Sequence, residues 1–211
     1  MRTALLALLL LVLAPAFTAC GGPKKTEGQR RLGDLTGALE DLARQLQESR
    51  ADLVAAVVDH DVLVGLRDPD LLARYRSFEK NLSNAESREE RLRKRAEDVA
   101  EAAQRYFGHW EASLAEIASD DLRDQSAKRL RKTRRQYEDL RGEVSGVIER
   151  FEPLLRTLRD HATYLGVDLN QESLAGLSGE LATVQGAAAQ LYRAVDEASI
   201  ATHAFTGAVR N

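Results

Sequence analysis

The chain has 211 residues, of which 44% are apolar and 30% charged, and a formal net charge of −3. That balance describes one folded domain or a small pair of domains and excludes a disordered chain. The absence of a basic excess removes the electrostatic footprint of a nucleic-acid binder, and a single cysteine excludes an intramolecular disulfide, so stability must come from packing.

Residues 1–19 read as an export signal. Arg2 supplies the positive start and Ala4 to Phe17 the apolar run, shorter than the roughly 20 residues a membrane-spanning helix needs. Cys20 follows Phe17-Thr18-Ala19 and precedes Gly21-Gly22. This segment resembles a bacterial lipobox, departing from it in having Phe17 where leucine is usual. The resemblance implies cleavage before Cys20, acylation of its thiol, and a membrane anchor made of lipid. With no aspartate after the cysteine, it further implies the periplasmic face of the outer membrane in a cell with two membranes. The alternative is an ordinary signal peptide cleaved near Ala19. Residues 20–28, which contain Pro23, Lys24 and Lys25, read as the lipidated cysteine and a flexible tether.

Residues 29–211 carry four heptad seams and are expected to form one all-α domain, an elongated antiparallel bundle of about four helices. The first seam runs from Leu32 through Leu39, Leu46 and Leu53 to His60 and Leu63. The second runs from Leu71 through Phe78, Leu92 and Val99 to Trp110 and Ile117, broken only by Glu89. The third runs from Ser126 through Tyr137, Val144 and Phe151 to His161 and Leu165, and the fourth from Leu174 through Val184, Leu191 and Ala198 to Phe205 and Val209.

Turn chemistry separates the seams. Gly65 ends the first helix, and Asp68-Pro69 offers a cap followed by proline at the first helical position. Ser119, Asp120 and Asp121 begin the third helix, Gly166 closes it, and Asn170 caps the fourth. Pro153 inside the third helix predicts a kink, because it removes the bond to the Glu149 carbonyl. At 1.5 Å per residue the second and third helices are about 70 Å long and the first about 50 Å, so the hairpin they form overhangs the first helix at the tether end.

Four constellations deserve weighing as chemistry. His60, in Asp59-His60-Asp61, and His161, after Asp160, lie on seams of helices that run the same way, so their rings can face each other across the core. Two readings stay open: a zinc or copper site, or buried polar residues that set register. Tyr106, Trp110 and Phe205 fall near one level, as a ligand cradle or as plain core. Glu89 is expected to meet an arginine such as Arg44 across the seam. Lys128, Arg129, Arg131, Lys132, Arg134 and Arg135 put six cations within eight residues. Of these, Lys128, Arg131, Lys132 and Arg135 point away from the second helix, as a solvated face or a contact for an anionic surface.

Glu97-Asp98-Val99-Ala100-Glu101-Ala102, the Trp110-Glu111 pair, the run Arg129 to Tyr137, Glu152-Pro153 and Asp168-Leu169-Asn170 together carry a family likeness. In these residues the chain resembles the bacterial lipoproteins grouped as domain of unknown function 2959, most clearly from Glu97 to Leu181. The resemblance implies localisation and architecture and brings no catalytic residue with it. The expected function is therefore a non-catalytic envelope scaffold, spacer or tether without a cofactor. It would be held to the membrane through acylated Cys20, with an anionic lipid or another envelope protein as further partner. The alternative is a metal- or cofactor-binding bundle centred on His60 and His161.

Overall fold

The computed structural model describes residues 25–65 and 70–210. The stretch expected to be an export signal, Cys20, most of the expected tether and the Asp68-Pro69 pair lie outside the described residues. Helix α1 spans Glu27–Gly65, α2 Leu71–Leu114 and α3 Asp120–Val167; α4, Gln171–Leu177, leads through a 3₁₀ turn at Ser178–Glu180 into α5, Leu181–Arg210. The described residues contain no strand. Helix α1 packs on α2 and α5, and α3 packs on the same two, so the helices form a four-membered ring in which the parallel pair α1 and α3 stand on a diagonal.

Every described seam position is turned inward or half inward; none is exposed. Leu35, Leu39, Leu46 and Leu53 of α1 are completely buried, and each contributes about 1.5–3 kcal/mol by leaving water. Because α1 touches two neighbours, it needs more than one stripe, and Thr36, Ala43 and Val57 beside the seam are buried as well. The buried face of α5 mixes Val184, Leu191, Val195 and Phe205 with the small residues Ala188, Ala198, Ser199 and Thr202. Thr202 and Thr206 satisfy their hydroxyls by donating to the carbonyls of Ala198 and Thr202, at 2.6 and 2.7 Å.

The helix ends follow local chemistry, with three corrections. Ser119 caps α3 by accepting from the Leu122 N–H, and Asn170 caps α4 by accepting from Glu172 and Ser173, both at 2.9 Å. The cap of α2 is Asp70, which accepts from the Ala73 N–H at 3.1 Å, rather than Asp68. An aspartate directly before the first helical residue reaches the donors of that turn. Gly166 does not stop α3, which continues to Val167 and leaves helical backbone at Asp168. No described glycine has positive φ, so the left-handed stop assumed for Gly166 is not used. The fourth helix is broken at Ser178–Glu180, where Gly176 and Gly179 lower helix propensity and the Ser178 hydroxyl donates to the Ala175 carbonyl. Helix α3 itself is unbroken through Pro153; Pro153 and Glu149 are both exposed, so the carbonyl that loses its partner can turn to water.

The overhang is present. The start of α1 is level with the end of α2: Arg31 donates to the Arg105 carbonyl at 3.3 Å, and a side chain at Gly28 would meet His109. Trp110 and Ser126 bond across the hairpin at 2.9 Å, and the first turns of α3 project about 10 Å beyond that level. Helix α5 stops short of that level, where Arg210 pairs with Glu40 of α1.

Candidate functional site

At the distal end, the bundle brings His60 and His161 into direct contact across its diagonal. His60 Nε2 lies 2.9 Å from His161 Nδ1, His60 is fully buried and His161 nearly so. The ring centres are 5.1 Å apart with the planes inclined by 23°, so the rings meet edge to edge through the two nitrogens. Phe78 closes one side at 5.5 Å. Asp61 stands 3.4 Å from His60 Nδ1 and is itself held by the Gln185 amide at 2.9 Å. The Asp61 carboxylate favours the proton on Nδ1 of His60, which leaves Nε2 to accept from the Nδ1–H of His161. Burial pushes both imidazoles below their usual range; for His60 the charge of His161 adds to this, while Asp61 opposes it. For His161, Glu180 and Asp160 oppose the effect of burial.

The two nitrogens meet directly in this geometry, and among the described residues no three His, Cys, Asp or Glu side chains are grouped to hold a metal ion together.

At the tether end, Lys128, Arg131, Lys132 and Arg135 are all exposed and make no ion pair among the described residues. Their neighbours Arg123, Arg134 and Arg141 pair with Asp120, Glu111 and Glu138. Arg129, between them, lies over the Trp110 ring with its guanidinium carbon 5.8 Å from the ring centre. Two grooves flank this stack. One, of about 340 Å³, is lined by Tyr106, Trp110, Arg129, Lys132 and Gln136. The other, of about 420 Å³, runs on the tether side past Thr26, Gln29, His109 and Ser126. Among the described residues, neither is lined by a carboxylate.

The aromatic group divides. Phe205 is buried against Tyr137 at 6.0 Å, and Tyr137 against Phe107 at 5.7 Å, which makes it core. Tyr106 and Trp110, 5.7 Å apart, stay half exposed along the grooves. Glu89 does not meet Arg44: it pairs with Arg93 one turn on, and Arg44 pairs with Asp41. Pairing within one helix needs no particular stagger between helices, so a half-buried seam carboxylate finds its partner one turn on. The cross-helix clamp is instead Arg88, which holds Asp52 at 2.8 Å and also Glu48 of α1. Folding α1 and α2 about residue 67 brings Glu48 and Asp52 to the rough level of Arg88, but it brings Arg44 equally near Glu89, so counting from the turn does not choose between them.

The family described as protein of unknown function (DUF2959) matches residues 26–208, nearly the whole described bundle. No curated protein and no solved structure matches the chain.

Proposed function

The chain belongs to the DUF2959 family, and from that premise we propose that it is a lipid-anchored envelope protein whose bundle is a non-catalytic spacer or scaffold. The observation that carries this reading is the length of the core. Helices of 39, 44 and 48 residues pack side by side around one continuous apolar seam. A 48-residue helix spans about 70 Å, a distance a compact domain of this size does not cover. No described helix is long and apolar enough to cross a membrane, so attachment falls to the acyl chains expected on Cys20. The bundle begins at Glu27, a few residues after that cysteine, with its distal turns at the opposite end of the rod.

Fractionation of the cell envelope tests the anchor. The unaltered protein should sediment with membranes, and Cys20→Ser should move it to the soluble periplasmic fraction. Acyl chains contribute about 0.8 kcal/mol per buried methylene, more than surface contacts supply, so the shift should be nearly complete. A Cys20→Ser protein that stays with membranes in high salt would remove the anchored reading.

A further inference from the structure

We propose that the groove beside Trp110, with Arg129 and Lys132 on its rim, binds the phosphate of an anionic membrane lipid headgroup and so sets the tilt of the rod on the surface that tethers it. The orienting role rests on the anchored reading; the binding does not.

The donors are in place. Arg129, Lys132 and the Gln136 amide line the groove, and among the described residues no carboxylate does. Thr133, also on its wall, already donates its hydroxyl to the Arg129 carbonyl at 3.0 Å, which leaves the guanidinium, the ammonium and the amide for a ligand. Arg129 lies over Trp110 at cation–π range, and Trp110 is fixed by its bond to Ser126, so the cation is placed beside the groove. A guanidinium fork beside a lysine suits a phosphate monoanion, the first presenting paired donors and the second a point charge.

Three observations favour a lipid over a soluble polyanion. The half-exposed Trp110 and Tyr106 form the floor of the groove, and amphipathic rings of this kind settle at the headgroup level of a bilayer. Leu122, on the overhanging turn of α3, is 59% exposed and faces the same end. The groove across the Trp110 ridge is lined by Thr26 and Gln29, where the tether joins, so a stretch of residues 20–28 places the bilayer within about 30 Å. Lys128, Arg131 and Arg135 extend the cationic arc along the outer face of α3. Asp121 and Asp124 precede them on that helix and Glu138 and Asp139 follow, which confines the attraction to this short stretch.

Trp110 is the only tryptophan and borders both grooves, so its fluorescence reports binding beside it, and the Lys132 substitution, which touches one groove only, assigns that binding. The chain from residue 21 onward contains the whole described core and no acyl group. Mixed with phosphatidylcholine vesicles containing phosphatidylglycerol, it should show a saturable blue shift of Trp110 emission that fades as salt rises, and none with phosphatidylcholine alone. Arg129→Gln combined with Lys132→Gln should weaken binding by about 30-fold, the equivalent of about 1 kcal/mol per cation. Arg76→Gln combined with Lys80→Gln, which removes the same charge near the distal end, should leave it unchanged. Equal loss in the two double variants, or equal binding to neutral vesicles, overturns the site. A shift of Trp110 emission with glycerophosphate alone reassigns the groove to a soluble phosphate and overturns the lipid proposal. Since no acyl group is present, the result stands whatever Cys20→Ser does in cells.

Discussion

His60 and His161 meet as two neutral rings with one N–H between the facing nitrogens, 2.9 Å apart in the core. Protonating both would set two imidazolium charges against each other where water cannot screen them. Both pKa values are lowered, by burial first, so the folded state takes up protons less readily than the unfolded chain, whose histidines titrate near pH 6.5. The stabilisation is therefore complete above about pH 6.5 and is lost as the pH falls below it toward the folded values. Melting temperature should drop between pH 7 and pH 5 more steeply in the unaltered protein than in His60→Gln combined with His161→Gln, where the amides can still pair. Parallel melting profiles would show that the pair does not govern acid stability. Asp61, Asp59, Asp160 and Glu180 surround the site and remain in both proteins, so the difference belongs to the histidines.

Within α3 two glycines at helical φ have opposite meanings. A Cβ at Gly142 would meet nothing within 4 Å. Gly142→Ala should therefore raise stability by about 1 kcal/mol through helix propensity. At Gly166 the same Cβ would lie 2.6 Å from the Tyr75 hydroxyl, which is held by the Ala162 carbonyl at 2.9 Å and by Glu79. Burial and the Glu79 carboxylate push that phenol up to about 12, so it stays a donor at any physiological pH. Gly166→Ala should lose the propensity gain to this clash, and should recover it in a Tyr75→Phe background. Chemical denaturation of the four proteins checks the cycle, and a Gly166→Ala variant as stable as Gly142→Ala would show that the hydroxyl yields freely.

The ring of four helices is long because each seam continues for six or more turns without a polar interruption that would end the core. The molecule should scatter as a rod: small-angle scattering of the monomer should give a radius of gyration above about 20 Å, against about 16 Å for a compact globule of this length. A value near the compact one would mean that the α2–α3 hairpin folds back along the bundle. Its overhang matters at this scale, because the shorter α1 and the early end of α5 leave the tip of the hairpin, with Leu122 and the basic stretch just behind it, as the tether-end face of the whole molecule.

The helices, their inward faces and most of their caps were readable from the sequence alone, because heptad spacing, Ser119 and Asn170 act through neighbours a few residues away. The rough level of His60 with His161 and of Trp110 with the tether also followed, since both depend only on counting from the turns. Axial stagger to within one turn does not follow from such counting, and it decided the rest. It set Arg88 rather than Arg44 as the clamp between α1 and α2, gave Gly166 the task of admitting the Tyr75 hydroxyl, and joined the two imidazoles through their nitrogens. The groove was half legible: Lys128, Arg131, Lys132 and Arg135 stand out in the sequence as an outward face. Arg129 takes its meaning from Trp110, which lies on another helix, and a one-dimensional pattern carries no distance between helices.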